Sequence, residues 1–347
     1  MSDYMRKVFY VRKREENPDC SVTAGYVKAE RRKQVLTLTI FLDTQDLPEE
    51  CPVCAVYCTG REWQCFSCGW VTFDKNGTTV CNLFLPDDET ALRFVRAMKG
   101  ERLPGVPHFT HTPASLEFFN QRALDMVMAY KQESPAFQQL QALPEDYVCA
   151  VYVEFNLMHE NRFLPILREL EQVVRAVGGD PERTWVARDS RELEKLLFFR
   201  HTVPEVTDII VERNKKKEPC ITILSTDMAV DDAHFDELFH IYQHDLSQTD
   251  LDWVIFGHIG ENHVHPNIFA RDRAEYEFGL RLFEKWAADV HRMDGTITGE
   301  HGTGKIKKKL AYIMYGPEKM AKLWQLKRTL DPKGLLGPGN ILTEVEA

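Results

Sequence analysis

The chain has 347 residues, 44% of them hydrophobic and 28% charged, a balance that is typical of a globular protein large enough for two domains. The formal net charge of −10 argues against nucleic acid as the main partner, and no stretch approaches the roughly 20 apolar residues that a membrane span requires. The N-terminal residues lack the apolar core of a signal peptide, so the nine cysteines are expected to be reduced or metal-bound in a cytoplasmic protein.

Two CxxC pairs lie in the first part of the chain. Their thiols are Cys51 and Cys54, followed by Cys65 and Cys68. Each CxxC turn can direct two thiolates at one ion, and a hairpin between the pairs would complete the sulfur set that Zn²⁺ prefers. Cys58 is a spare thiol, so an iron–sulfur cluster is an alternative, as is a plain core role for buried cysteines. We expect a small Cys-rich β segment that binds a structural metal.

The rest of the N-terminal region predicts regular elements without a functional signal. Thr79–Leu85 predicts a strand, and Asp88–Lys99 predicts a helix with acidic residues in its first turn. Ser115–Tyr130 has the apolar stripe of an amphipathic helix. His108 and His111 lie in a Pro-rich loop between these elements and are expected to be surface residues.

From Tyr147 onward, strands and helices alternate. The expected strands are 147–155, 184–187, 220–226 and 253–256, and the expected helices are 162–177, 190–200, 232–244, 272–293 and 317–330. This alternation predicts an α+β fold with one antiparallel sheet and helices on one face. We therefore expect two regions, an N-terminal region of residues 1–146 with the CxxC module and a C-terminal domain of residues 147–347.

Two glycine-punctuated loops near the C-terminus each carry histidine beside a carboxylate. The first loop, GHIGENHVH, contains His258, His263 and His265, and the second, GEHGTGK, contains Glu300 and His301. Two imidazoles that flank a turn can converge on one ion, and a carboxylate can complete the set. We expect one site built from both loops, while satisfied turn histidines without any ligand are the alternative.

The three motifs GHIGENHVH, GEHGTGK and DPKGLLGPGNIL resemble, in order and spacing, the C-terminal half of the FAD-linked oxidase family. Its members include D-lactate dehydrogenases, glycolate oxidase subunits and D-2-hydroxyglutarate dehydrogenases. The resemblance extends from about Tyr147 to Leu342. It implies a ferredoxin-like substrate domain and the oxidation of a 2-hydroxy acid to a 2-oxo acid, with FAD as hydride acceptor.

The resemblance also implies roles for the residues of the two loops. His258, His265 and Glu300 would hold a divalent metal, Zn²⁺ or Mn²⁺, which lowers the pKa of the substrate hydroxyl. His301 would be the base that removes the hydroxyl proton, because an imidazole titrates near neutral pH. Family members without a metal use the same histidines as polar contacts.

Three further residues are assigned in the same way. Arg200 matches the arginine that binds the substrate carboxylate in the family, a contact for which the guanidinium fork is suited. A helix-end arginine that faces water is the alternative. His263 and Asn340 would contact the cofactor, although both lie where the sequence departs from the family pattern. His263 replaces an Asn in GENH at 260–263, and GPGN stands at 337–340 in place of NPGK.

No Gly-rich pyrophosphate loop is present in residues 1–146, so FAD is expected on a partner. We expect the substrate- and metal-binding half of a flavin-dependent D-2-hydroxy-acid dehydrogenase, completed by an FAD-binding subunit or by homo-oligomerisation. An iron–sulfur electron-transfer subunit is a further candidate partner. The alternatives are a fragment of a longer enzyme and a non-catalytic metal-binding or scaffold subunit of a redox complex. A nucleic-acid-binding zinc ribbon is disfavoured by the negative charge.

Overall fold

The computed structural model describes residues 78–342 except 139, 145–146, 157–162 and 188–189, together with four strands nearer the N-terminus. These strands form two antiparallel pairs, Ala24–Arg32 (β1) with Val35–Leu42 (β2) and Gln64–Cys65 (β3) with Trp70–Val71 (β4). Of the four cysteines predicted to bind metal, Cys51, Cys54 and Cys68 lie outside the described residues, and only the backbone of Cys65 is described. The predicted sulfur site therefore stays a prediction.

A seven-stranded antiparallel sheet forms the centre of the described chain, in the order β8-β5-β7-β6-β10-β11-β9. Its strands are Thr78–Leu85 (β5), Ser115–Asn120 (β6), Cys149–Asn156 (β7), Thr184–Val186 (β8), Leu224–Ser225 (β9), Trp253–Gly257 (β10) and His265–Ile268 (β11). All six neighbouring pairs are antiparallel. The α+β class and the antiparallel sheet expected from the sequence are confirmed.

Helices cover both faces of this sheet, which corrects the expectation of helices on one face. The helices are Asp88–Met98 (α1), Gln121–Glu133 (α2), Phe163–Val177 (α3), Ser190–Lys215 (α4), Phe235–Ser247 (α5), Arg273–Arg292 (α6) and Lys308–Leu330 (α7). Helices α2 and α4 share a core with Phe119 and Tyr152, whereas α1, α3, α5 and α6 share one with Phe118 and Val151. Because neighbouring strand residues point to opposite faces, these are two separate cores. The nearly continuous apolar run in β7 is typical of a strand buried on both sides.

The sheet also crosses the predicted domain boundary between residues 146 and 147. Strands β5 and β6 precede that boundary and pair with β7, in registers that place Leu85 and Asn120 on either side of Cys149. The pattern at 115–130 predicts one helix, but the structure divides it into β6 and α2. Asn120 makes this division, because its side chain accepts hydrogen bonds from the N–H of Ala123 in α2 (3.0 Å) and of Ile255 in β10 (3.1 Å).

Several helix ends differ from their predicted positions. Helix α6 begins as expected, with the Asp272 side chain accepting the N–H of Glu275 at 2.9 Å. Helix α4 does not end at Arg200 but continues through Pro204, so Arg200 lies in the helix interior. Helix α7 is broken at Gly316, where φ is 70°, just before the predicted start. No helix within the described ranges is long and apolar enough to cross a bilayer.

Two cysteines of the sheet belong to its core. Cys81 in β5 and Cys149 in β7 are fully buried, whereas Cys220 before β9 is exposed. Burial raises the pKa of the Cys81 thiol to about 12 and that of Cys149 well above its usual value. Both thiols are therefore protonated at neutral pH and pack as small apolar side chains.

Candidate active site

The first glycine-punctuated loop is the connection between β10 and β11. A short 3₁₀ helix, Ile259–Glu261, follows β10 and ends at Asn262, which has a left-handed backbone with φ of 57°. Gly257 precedes the turn with φ of 129°, and a Cβ on it would lie 2.4 Å from the His265 ring. Only glycine permits this approach. The turn thereby directs the imidazoles of His258, His263 and His265 to one side.

The second loop is held against the first by Asp227, a fully buried carboxylate. Its Oδ2 accepts the backbone N–H groups of Glu300 (2.8 Å) and His301 (2.7 Å), and its Oδ1 accepts the ammonium of Lys307. Burial alone would raise the pKa of Asp227, but Lys307 and the two N–H groups lower it to about 2. The charged carboxylate thus fixes where Glu300 and His301 point. The sequence offered no signal for this role, because Asp227 lies far from both motifs.

Four side chains of the two loops surround one point. The Nε2 atoms of His258 and His265 each lie 3.2 Å from Oε1 of Glu300, and Nε2 of His263 lies 3.7 Å from it. The four candidate ligand atoms all lie within 4.8 Å of one another. The structure therefore brings the predicted set of His258, His265 and Glu300 together, and it adds His263.

The hydrogen-bond network assigns the same tautomer to the three imidazoles. Their Nδ1 atoms lie near oxygen acceptors outside the cluster: Glu117 Oε1 at 3.0 Å from His258, Glu261 O at 3.4 Å from His263 and Thr226 O at 3.1 Å from His265. An imidazole that donates through Nδ1–H keeps its lone pair on Nε2. The lone pairs of the three Nε2 atoms consequently face Glu300. In metal sites, oxygen acceptors that bond the other ring nitrogen orient the histidine ligands in the same way.

The charges of the cluster are strongly coupled. The close contact with His265, followed by the other nearby imidazoles, lowers the pKa of Glu300 to about 2, although burial opposes this shift. Burial, followed by the neighbouring imidazoles, lowers the pKa of His263, so this ring is neutral at pH 7. The hydrogen bond to Glu117 raises the pKa of His258. The cluster combines a carboxylate with three imidazole nitrogens, a set of donors that suits a divalent metal.

Glu117 is a functional candidate that sequence reasoning missed. It is 4% exposed on β6, and its Oε1 accepts from both the Arg200 guanidinium and His258 Nδ1. Burial alone would raise the pKa of Glu117, but His258 and Arg200 lower it by more than burial raises it. The pKa therefore lies below its usual value, and the carboxylate is ionised. Arg200 therefore lies behind His258, bonded to a protein carboxylate. The available signal was a charged residue within the apolar run SLEFFN.

The other predicted site residues lie at the edge of the cluster. His301 is 64% exposed, and its Nε2 lies 3.0 Å from Oε1 of Glu300, on the open side. Asn340 is exposed in the C-terminal loop, which returns to the second loop through a hydrogen bond from the N–H of Ile341 to the Gly304 carbonyl at 2.9 Å. The structure places Asn340 near the second loop but outside the cluster.

A cleft of about 580 Å³ adjoins His258 on the side of α1. His108 and His111, expected as surface residues, line this cleft with Lys99. His108 is exposed, while His111 is partly buried and lies 3.7 Å from Glu169. The cleft gives solvent and small molecules access to the back of the first loop.

Comparison with known proteins places this geometry in a family. The sequence profile described as "FAD linked oxidases, C-terminal domain" matches residues 76–341. The chain is 25% identical over 242 residues to a D-2-hydroxyglutarate dehydrogenase of Xanthomonas citri, which covers 67% of this chain and 46% of that protein. It is 32% identical over 174 residues to a probable mitochondrial D-lactate dehydrogenase of Danio rerio, which covers 50% of this chain and 33% of that protein.

The chain thus spans less than half the length of these two relatives. Among solved structures, 4-ethylphenol oxidase from Gulosibacter chungangensis has a TM-score of 0.47 at 11% identity, covering 77% of this chain and 54% of that chain. That likeness is too distant to carry an argument about function. The family profile, in contrast, includes both glycine-punctuated loops and every strand of the central sheet. This chain belongs to the FAD-linked oxidase family, through the C-terminal domain of its members.

Proposed function

We propose that the chain is the substrate- and metal-binding half of a flavin-dependent D-2-hydroxy-acid dehydrogenase, acting on a substrate of the D-lactate, glycolate or D-2-hydroxyglutarate type. The observation that carries this proposal is the convergence of three imidazoles, Glu300 and His301 where the two loops meet. The relatives named D-lactate dehydrogenase and D-2-hydroxyglutarate dehydrogenase support the substrate class.

The donors of the cluster fit a divalent metal. The Nε2 atom of His263 is buried without a hydrogen-bond partner among the described residues, and such an atom is unfavourable unless a ligand completes it. His258, His265 and Glu300 would hold the ion. Acting as a Lewis acid, the bound ion would lower the pKa of the substrate hydroxyl.

His301 is proposed as the general base. Its Nε2–H can donate to Glu300 over 3.0 Å, which leaves the lone pair of Nδ1 to accept the hydroxyl proton. The Glu300 carboxylate then stabilises the imidazolium. Because the ring is 64% exposed, the proton can pass from it to solvent.

Arg200 is proposed to bind the substrate carboxylate. Glu117 accepts from one terminal nitrogen of the guanidinium, and no other hydrogen bond of this group occurs among the described residues. The remaining N–H groups can therefore meet a second carboxylate. Glu117 would then position Arg200 and His258 together.

In this family FAD takes the hydride from the substrate carbon, and we assign FAD to another chain or to another part of a longer chain. The lack of a Gly-rich phosphate loop in residues 1–146 supports this assignment. Large apolar side chains near the C-terminus support a docking partner, since Leu326, Leu330 and Leu335 are 54%, 70% and 72% exposed. We retain zinc at Cys51, Cys54, Cys65 and Cys68 as part of the proposal.

Calorimetry on the metal-loaded chain tests the proposal. Glycolate, D-lactate and D-2-hydroxyglutarate are the ligands, and L-lactate is the stereochemical control. We expect binding of at least one D-acid or of glycolate, lost after chelation of the metal and weakened by Arg200→Ala. Failure of every 2-hydroxy acid to bind would overturn the proposal and favour a non-catalytic metal-binding subunit.

A further inference from the structure

His263 is the residue of the cluster that the family motif does not account for, since GENH stands at 260–263 where the family has GDGN. The ring is only 4% exposed. Its Nδ1 lies 3.4 Å from the Glu261 carbonyl oxygen, whereas its Nε2 has no hydrogen-bond partner within the described part of the chain. A buried imidazole with one unmatched nitrogen calls for a partner that the protein itself does not supply.

The three rings are arranged around a common point. The centroid of His263 lies 5.0 Å from that of His258 and 5.6 Å from that of His265, and the latter two are 5.5 Å apart. Around an ion with bonds of about 2.1 Å, neighbouring donors lie roughly 3.0–3.4 Å apart. The distances of 3.2 Å from His258 and His265 to Glu300 fall in this range, and the 3.7 Å from His263 needs only a small ring movement.

The second loop makes room for this ring. A Cβ at Gly299 would lie 3.4 Å from the His263 ring and 3.0 Å from the Asp227 carbonyl oxygen. The imidazole therefore lies close to the backbone that precedes Glu300. An asparagine at the same position would be shorter and would offer an amide instead of a ring nitrogen.

We propose that His263 is a fourth protein ligand, so that the chain binds its ion through three imidazole nitrogens and one carboxylate oxygen. Four protein ligands saturate tetrahedral Zn²⁺, which is the arrangement of closed structural sites. A six-coordinate ion keeps two positions free, and a 2-hydroxy acid needs two to chelate through its hydroxyl and carboxylate oxygens. Imidazole-rich sites favour Fe²⁺, Co²⁺ or Ni²⁺ over Mg²⁺ and Mn²⁺. The inference rests on the proposed function, because the same ion would polarise the substrate.

The test compares the wild-type chain, His263→Asn and the control His240→Asn, each freed of metal and titrated with Co²⁺. His240 is an exposed imidazole of α5 that is paired with Glu89 and belongs to neither loop. We expect the weak visible bands of six-coordinate Co²⁺ in the wild type and the control. His263→Asn should bind Co²⁺ more weakly by at least 10–100-fold, the order of magnitude for losing even an outer-shell partner. Absorption bands from Co²⁺ bound by the CxxC thiolates are common to the three chains. They cancel when the spectrum of a variant is subtracted from that of the wild type.

Equal Co²⁺ affinity and an unchanged spectrum in His263→Asn would overturn the inference. Intense bands of tetrahedral Co²⁺ in the difference between the wild-type and His263→Asn spectra would contradict the six-coordinate ion, because no position would then be free for a 2-hydroxy acid. Circular dichroism of the metal-free variant controls for folding.

A measurement that needs no variant is pulsed electron paramagnetic resonance of the wild-type chain loaded with Mn²⁺, an ion that thiolates do not hold. Nitrogen couplings from three imidazoles are expected, and couplings from two would contradict the inference.

The proposed function is judged separately by adding glycolate or D-lactate to the Co²⁺-loaded wild type. A change of the visible bands supports chelation of the 2-hydroxy acid. Bands that stay the same with every 2-hydroxy acid would contradict the proposed function, while the loss of affinity in His263→Asn would still establish the fourth ligand.

Discussion

The two glycine-punctuated loops share a composition but are held in different ways. In the first loop, His263 and His265 are 4% and 8% exposed, and the hairpin of β10 and β11 fixes their positions. In the second loop, Glu300 and His301 are 37% and 64% exposed and depend on hydrogen bonds to Asp227. The first loop is therefore a rigid donor platform, and the second is an open edge where the proposed proton transfer can take place.

The largest expected fall in the free energy of unfolding comes from removing the hydrogen bonds that hold the second loop to Asp227. Asp227→Ala removes the acceptor of two backbone N–H groups and leaves the ammonium of Lys307 buried without its partner. Loss of one partner of a buried pair costs about 3–5 kcal/mol. Urea unfolding should therefore show a large fall in the free energy of unfolding. The control is Asp232→Asn, which removes the partner of a surface ion pair with Lys99 and should cost no more than about 1 kcal/mol. Equal losses in the two variants would contradict the role of Asp227.

The first loop should lose its geometry when a side chain is added at Gly257, where the backbone lies closest to the His265 ring. Gly257→Ala adds about 1–2 kcal/mol of backbone strain and about 1–3 kcal/mol of overpacking, because its Cβ would meet the His265 ring at 2.4 Å. The matched change Gly302→Ala in the second loop also has positive φ, 72°, but meets no atom within 4 Å. Metal affinity measured by chelator competition should fall in Gly257→Ala and stay near wild type in Gly302→Ala. A rigid first loop is refuted if both variants keep full affinity.

A smaller loss of metal affinity is expected from a change at Glu117, the residue of the sheet that contacts the first loop at His258. Glu117→Gln keeps the shape of the side chain but removes the charge that faces His258 Nδ1 and Arg200. Outer-shell partners of histidine ligands contribute on the order of 10–100-fold to metal affinity. Metal titration should show a loss of this size, whereas Glu169→Gln, a carboxylate bonded to Thr110 at the cleft, should change nothing. An unaltered titration in Glu117→Gln would remove Glu117 from the site.

The smallest effect concerns the C-terminal segment that returns to the second loop. Asp331 binds Lys327 and the N–H groups of Leu335 and Leu336, each at 2.9 Å, and these contacts lower its pKa to about 2. A carboxyl group whose pKa is depressed on folding stabilises the fold above its unfolded pKa of about 3.9, and this contribution disappears as the pH falls toward 2. Melting temperatures of Asp331→Asn and wild type should differ at pH 7 and converge toward pH 2. A constant difference would contradict the role of this charge.

Local signals in the sequence predicted much of the fold and part of the site. The Asp272 cap, the strand that ends at Gly257 and the two histidine-bearing loops were all visible in short windows. Glu117 and Asp227 were not, because each acts on residues more than seventy positions away and is defined only by the sheet and loop packing. Long-range partners of this kind leave no periodic pattern.

The division of residues 115–130 into a strand and a helix was missed for a related reason. Residues 115–130 carry apolar side chains at both strand and helix spacing, and only Asn120, bonded to β10 and to α2, decides where one ends and the other begins. The burial of β7 on two sides likewise depends on α2 and α4, whose placement against the sheet is a tertiary property. Helices on both faces therefore followed from packing and not from propensity.

The buried thiols of the central sheet have a practical consequence for labelling. Cys81 and Cys149 carry no thiolate at neutral pH and no accessible surface, so alkylating reagents and mild oxidants should leave them intact in the folded chain. Of the described cysteines, only Cys220 is open to reagents. Peptide mapping after alkylation should therefore find Cys220 as the modified cysteine of this domain. Any further modified thiol belongs to the N-terminal cysteines and shows whether an ion protects their CxxC pairs.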